Sequence, residues 1–318
     1  MLNNAIKTTM KQLTSNLLMI EPVAFRYNEE TAKNNYYQKH LDSISSDEVK
    51  ARALAEFNSF VDKLENKGVN VHVIKDTIEP DTPDSIFPNN WVSFHQDGRV
   101  ALYPMCAENR RLERRTDILE KLREKFKITS IVDFSHYESE DLFLEGTGSM
   151  ILDRENKICY AAISIRTDEN IAKEFCHEFD YRLVSFTANQ THEGERLAIY
   201  HTNVMMCVAD KYAVVCLDTI DDPEERRRLE QVLLDSGKAI IEITEAQKGL
   251  FAGNMLQVMG HEPLLVMSTS AFNSLTIHQV EKIQAYNPIL HSSLDTIEAC
   301  GGGSARCMMA EVFLPTNQ

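Results

Sequence analysis

Near its C-terminus the chain reads GGGSARCMM over residues 301–309. Three consecutive glycines permit positive φ and let the backbone crowd a ligand. A thiol, Cys307, follows four residues later. A nucleophilic cysteine needs this combination of access and nearby backbone N–H groups. Read alone, the segment fits equally a flexible loop ahead of a final strand with a buried thiol. Cys300, in TIEAC before the glycines, is the rival thiol and reads as a packing residue at a strand end.

A thiol nucleophile is ordinarily served by a base. Among ten histidines, His201 heads HTNVMMCVA, where a loop meets a predicted strand. Polar residues on such rigid edges suit catalysis, although an ordinary edge histidine is the commoner case. In LEGTGSM (144–150), Glu145 lies in an apolar, Gly-rich predicted strand. There it fits orienting a histidine or holding a substrate N–H, or a plain turn carboxylate. PDSIFPNNW (83–91) gathers Asp84, Asn89 and Asn90 with the only tryptophan on a proline-stiffened segment. Its amides fit an Asx turn or a neutral polar ligand, since each amide both donates and accepts. NRRLERR (109–115) predicts a solvated helix face, with a carboxylate-binding Arg110 or Arg111 as the sharper alternative. No Walker sequence, G-x-G-x-x-G, HExxH or GxSxG is present. The usual phosphate, dinucleotide, zincin and serine-hydrolase readings therefore fall away.

The elements that must position these residues alternate along the chain. Val49, Ala53, Phe57, Phe60 and Leu64 predict a helix over 47–67, stopped at Gly68, with a strand at 69–74. Leu112, Ile118, Leu119, Leu122 and Phe126 predict one over 110–126, with a strand at 131–134. Further helices are expected near 168–178, 223–236 and 277–285, with Pro223 suited to a first turn. Strands are expected in LFLEG, SMILD, KICYAAIS, LVSF, NVMMCVA, YAVVCLD, AIIEI and PLLVMS. The result is a mixed α/β fold, read as one domain over 1–318, with no clear repeat in the sequence.

Composition narrows the partners. A net charge of -15 argues against a nucleic-acid binder and against adhesion to anionic membrane. No apolar run approaches the roughly 18 residues of a membrane span, and residues 1–20 lack a targeting-type apolar core. The seven cysteines are odd in number, lack a CxxC pair and fall partly in apolar runs. They predict reduced thiols in a cytoplasmic protein rather than a disulfide framework.

In this order, PDSIFPNN, LEGTG, HTN and GGGSARC resemble the guanidino-group-modifying (pentein) superfamily, over roughly residues 80–313. Its members include arginine and agmatine deiminases, dimethylarginine hydrolases and amidinotransferases. The resemblance implies an α/β-propeller of five pseudo-symmetric ββαβ-type units around a central site. It implies Cys307 as nucleophile, His201 as general acid/base and Glu145 as its carboxylate partner. Arg166, in SIRT, and Arg110 or Arg111 become candidates for a substrate carboxylate, and Asp84 for its α-amino group. Guanidinium-binding members carry aspartates where this chain has Asn90 and Asn203, and GTG replaces the commoner GGD. A cationic guanidinium favours carboxylates, whereas an amide can donate to a ureido oxygen. The expectation is thus a citrulline-hydrolysing enzyme of the citrulline-utilisation branch, giving ornithine, carbon dioxide and ammonia without metal or organic cofactor. An arginine deiminase or dimethylarginine hydrolase is the first rival, a non-catalytic propeller the second, and an amidinotransferase the third. A small amino acid is the expected partner, and a homo-oligomer is left open.

Overall fold

The computed structural model describes residues 11–317; the part of the reading that rests on residues 1–10 lies outside them. Among the described residues, seventeen strands follow in chain order. β1 (Asn16–Glu21) and β2 (Asn70–Lys75) come first. Next are β3 (Val92–Phe94), β4 (Arg99–Leu102) and β5 (Ser130–Asp133). Then come β6 (Met150–Asp153), β7 (Ile158–Ala162) and β8 (Arg182–Phe186). A hairpin of β9 (Asn189–His192) and β10 (Glu195–Ala198) leads to β11 (Met206–Val208), β12 (Tyr212–Val215) and β13 (Ala239–Glu242). The last are β14 (Leu256–Met259), β15 (Pro263–Ser268), β16 (Ile289–Ser292) and β17 (Ala310–Glu311).

Apart from that hairpin, these strands form five three-stranded sheets with one internal pattern. The first strand is antiparallel to the middle one and the third is parallel to it, as in β3-β4-β5, where Phe94 faces Val100 and Val100 faces Ile131. The parallel step needs a crossover, and in each sheet a helix supplies it: Ser46–Glu65, Thr116–Arg123, Glu169–Phe179, Pro223–Asp235 or Ile277–Gln284. The fifth sheet is completed from both ends of the chain, since C-terminal β17 pairs antiparallel with β1. β17 packs beside β3, β6 beside β11, and β11 beside β14. A structural repeat that the sequence did not display therefore organises the fold.

The first long helix follows the predicted stripe. Val49, Ala53, Phe57, Phe60 and Leu64 are buried, Ser45 caps the start, and Gly68 turns the chain at φ +84°. The helix expected over 110–126 is instead two pieces, Glu108–Arg111 and Thr116–Arg123. Arg110 and Glu113 turn inward between them, which leaves Leu112 49% exposed, contrary to its place on the predicted apolar face. Nor is the basic run a solvated face. Arg114 pairs with Glu138 at 2.5 Å and Arg115 with Asp76 at 3.1 Å. Cys300 lies not at a strand end but in a helix, Asp295–Gly301, that the sequence pattern did not suggest. All seven cysteines are free. No described helix is long and apolar enough to cross a membrane.

Candidate active site

In every unit, a turn just ahead of the first strand brings residues to one region. Pro88–Asn90 precedes β3, Gly146–Ser149 precedes β6, and Thr202–Val204 precedes β11. Asn254 stands two residues before β14, and Ala305–Met308 precedes β17. Repetition of one topology thus gathers side chains from 90 to 307 in the sequence.

Two of these turns had been expected as strand. Glu145 is not within a strand; it immediately precedes one helical turn, Gly146–Ser149. Gly146 takes φ +48°, and a Cβ there would lie 2.3 Å from the Asn89 carbonyl, so the turn packs tightly on its neighbour. His201 likewise does not open β11, because Thr202–Val204 intervenes. The Thr202 hydroxyl accepts from Ala162 N at 2.8 Å, tying that turn to the preceding unit.

Cys307 is 5% exposed. Its Sγ accepts from Asn203 Nδ2 at 3.4 Å and from Asn254 Nδ2 at 3.2 Å. Asn254 is a residue that sequence reasoning missed. It also donates to Asn203 O and accepts from Arg306 N, so it is locked on both sides of the thiol. The signal that could have found it is positional: GNM just ahead of a strand, like PNNW and TNVM.

His201 Nε2 lies 2.7 Å from Glu145 Oε2, and both side chains are buried. Burial lowers the His201 pKa to about 4, against the opposing hydrogen bond and charge of Glu145; Arg166 and Arg110 add to the lowering. Burial alone would raise the Glu145 pKa, but Arg166, His201 and Arg110 together overcome it and hold the carboxyl well below the usual range. The pair is therefore neutral imidazole beside carboxylate at neutral pH. With Nε2–H donating to Glu145, Nδ1 is left as the basic nitrogen. Glu145 is fixed further by Cys106 N at 2.9 Å and Arg166 Nη1 at 3.4 Å.

Arg166 also holds Asn34 Oδ1 through Nε at 2.9 Å and the Thr31 carbonyl through Nη2 at 3.1 Å. Arg110 departs further from expectation. Its guanidinium already forks onto Glu113, at 2.8 and 3.0 Å, and its Nη1 donates to Asn90 Oδ1 at 3.0 Å. Bidentate pairing of this kind is strong, so Arg110 orients Asn90 rather than awaiting a ligand. Arg111 instead donates to the Met105 carbonyl at 3.0 Å. Asp84 Oδ2 accepts from Asn28 and Thr31 while its Oδ1 has no partner. Burial raises its pKa, against the nearby Arg110. Asn89 is buried with both amide atoms unpartnered, and it is not among the residues around the cavity described next.

Asp84, Asn90, Arg110, Arg166, His201 and Cys307 line one cavity of about 20 Å³, closed over by Thr31 and Asn35 and backed by Gly301–Gly303. That volume is little more than one water. Asn35 Nδ2 donates to the carbonyls of Gly301 and Gly302 at 3.4 Å. The 31–35 segment must therefore move before anything much larger than a water can enter.

Gly148 shows how tightly the site is built. A Cβ there would lie 2.3 Å from Asn90 Nδ2 and 2.9 Å from His201 Nδ1. Gly148→Ala is expected to cut kcat/KM by about tenfold or more, because small misplacements of positioned groups are costly. An alanine variant with unchanged kinetics would show that the two side chains need no such close approach.

The family model for N,N-dimethylarginine dimethylhydrolase, eukaryotic, matches residues 21–314. No curated protein matches the chain in sequence. Among solved structures, ArgZ, an arginine dihydrolase from the ornithine–ammonia cycle in Cyanobacteria, superposes with TM-score 0.74 at 18% identity, over 94% of this chain and 41% of that one. The chain thus spans about two fifths of that protein. The isolated N-terminal domain of ArgZ gives TM-score 0.73 at 18% identity, over 94% of this chain and 98% of that domain. A dimethylarginine dimethylaminohydrolase variant, solved as its S-methyl-L-thiocitrulline adduct, gives 0.62 at 15% identity, over 94% and 99%. These structural likenesses show a common mixed α/β fold, and with the match over residues 21–314 the chain belongs to the N,N-dimethylarginine dimethylhydrolase family of the pentein superfamily.

Proposed function

We propose that the protein is a cysteine-dependent hydrolase that converts the ureido group of L-citrulline, leaving ornithine, carbon dioxide and ammonia. The observation that carries this reading is the polarity of the two asparagines. Arg110 occupies Asn90 Oδ1, so the unpartnered atom is the donor Nδ2. Asn203 spends Nδ2 on the thiol, so its unpartnered atom is the acceptor Oδ1. A ureido carbonyl satisfies Asn90 Nδ2; Asn203, which like Asn89 does not line the closed cavity, meets a ureido N–H only after the site opens. A guanidinium has only donors and would leave the buried Asn90 amide unpaired, which is costly.

In this mechanism Cys307 Sγ bonds to the ureido carbon. The bond from that carbon to the δ-nitrogen breaks, and ornithine leaves with a proton delivered through His201. Water, deprotonated at His201 Nδ1, then cleaves the carbamoyl thioester. Carbamate departs and breaks down to carbon dioxide and ammonia, and the thiol is restored. We assign the oxyanion to backbone N–H groups of the Gly-rich loop that lines the cavity. Asp84 Oδ1 is positioned for the substrate ammonium. Arg166 meets the substrate carboxylate once the 31–35 segment moves. We read the five units as a pseudo-fivefold propeller and residues 1–318 as one catalytic domain.

A Cys-to-Ser variant of the ArgZ N-terminal domain is bound to substrate and a Cys-to-Ala variant of AgrE to L-arginine, which accords with a cysteine in the chemistry. An Asn-to-Ser variant is covalently bound to a reaction intermediate. The family match and the arginine dihydrolase neighbours favour a second reading, a guanidino substrate such as arginine or a methylated arginine. Product analysis separates the two. Ornithine and ammonia from citrulline are expected, with slower reaction of guanidines. Citrulline or ornithine from arginine or a methylated arginine, with no ornithine from added citrulline, would select the second reading. Asn90→Asp with Asn203→Asp is expected to reverse the preference toward guanidines; an unchanged ratio of kcat/KM values would discard the argument from amide polarity.

A further inference from the structure

We propose that the cavity between Tyr37, Gln190 and Lys248 is a second binding site, separate from that of Cys307, for the carboxylate end of a small α-amino acid. The cavity has about 580 Å³, within the range of ordinary ligand sites. Lys248 is 3% exposed and, among the described residues, lies in no ion pair. Its ammonium donates to Tyr37 OH at 2.7 Å and Gln190 Oε1 at 2.8 Å, leaving one N–H unassigned. Gln190 Oε1 also accepts from Tyr37 OH at 3.0 Å, which fixes the amide orientation. Its Nε2 is consequently a buried donor with no acceptor.

A buried cation is normally paired, and here burial lowers the Lys248 pKa to about 8, with Cys216 and Glu245 opposing weakly. A carboxylate has two oxygens and would satisfy the lysine and the Gln190 amide together. The same cavity is lined by the acids Glu245, Asp295 and Glu298. Glu245 is already paired with Arg196 at 2.7 Å and Glu298 accepts from Ser304, which leaves Asp295 to meet an ammonium and favour a zwitterion over a dicarboxylate. The site also adjoins the segment over Cys307. The Tyr37 ring meets Tyr200 edge-on at 6.2 Å, and Tyr200 OH donates to the Gly302 carbonyl.

Calorimetric titration of the whole protein with glycine, L-ornithine and L-glutamate tests the proposal, with succinate and 1,4-diaminobutane as ligands carrying one charge type only. At least one amino acid should show an equivalent of binding that Lys248→Met weakens by about tenfold or more, the worth of a lost charged hydrogen bond. At pH 8 that binding should take up protons, seen as a buffer-dependent enthalpy. Gln190→Leu should weaken the same equivalent and provides the test should Lys248→Met not fold. Counting only the Lys248-dependent equivalent keeps the result independent of what the Cys307 site binds. Identical isotherms in unmodified and variant proteins for all three amino acids would overturn the proposal, and so would succinate binding as tightly as they do.

Discussion

Cys307→Ala is expected to lower turnover by about 10⁴–10⁶-fold, the scale on which removal of a covalent nucleophile is felt. Its fold should survive. The side chain lost is small, and the two amides that meet Sγ keep other anchors: Asn254 still bonds Asn203 O and Arg306 N. The denaturation midpoint should therefore move by no more than about 1 kcal/mol allows. Residues that act as a unit are not additive. A Cys307→Ala, His201→Ala double variant should consequently be little slower than the single one. The measurement is ornithine formation from citrulline, with near-UV circular dichroism as the control for folding. Turnover within tenfold of the unmodified protein would remove Cys307 from the chemistry and point to another thiol. Cys106 would then be the candidate, as the one cysteine that is not buried, although burial and the neighbouring Glu145 push its pKa up.

His201→Ala should slow turnover by about 10²–10⁴-fold, the usual worth of positioned acid–base help. The pH profile supplies the sharper signature. The acid limb of kcat/KM should fall near pH 4, not near the ordinary histidine value, because burial holds the imidazole neutral to about 4. Stability follows the same direction. The unfolded chain protonates this histidine near 6.5 and the folded one near 4, so between those values the unfolded state binds more protons. The contribution is complete above about 6.5 and is lost as pH falls through 4. Glu145 acts with the same sign, since its folded pKa lies below the usual carboxylate range. Its contribution is present above that range and lost on acidification. Glu145→Gln separates the roles: it keeps a hydrogen-bonding shape but removes the charge beside Arg166 and His201. An acid limb that stayed near 6.5 in the unmodified protein would show that solvent reaches the imidazole and that the closed geometry is not the working one.

The residue types that the fold brings together around Cys307 were legible in the chain itself. A thiol behind a glycine run, a histidine ahead of an apolar stretch, an acid among small residues and paired asparagines are local patterns, and local patterns survive in one dimension. So did the helix over 46–65, whose apolar stripe is buried, and the strand at 263–268, a continuous apolar run buried along nearly its whole length. Tertiary structure decided the rest. Residues 146–149 and 202–204 became turns rather than strands because each is packed against the turn or strand of a neighbouring unit. Arg110 became a brace for Asn90, not a ligand for substrate, because folding brought Glu113 and Asn90 to opposite sides of one guanidinium. Asn254 was announced only by the position of GNM ahead of a strand, and the repeated topology put it on the thiol. The amide polarity on which the proposed ureido substrate rests arises the same way: sequence supplies an amide, and the surrounding fold determines which of its two ends is left free.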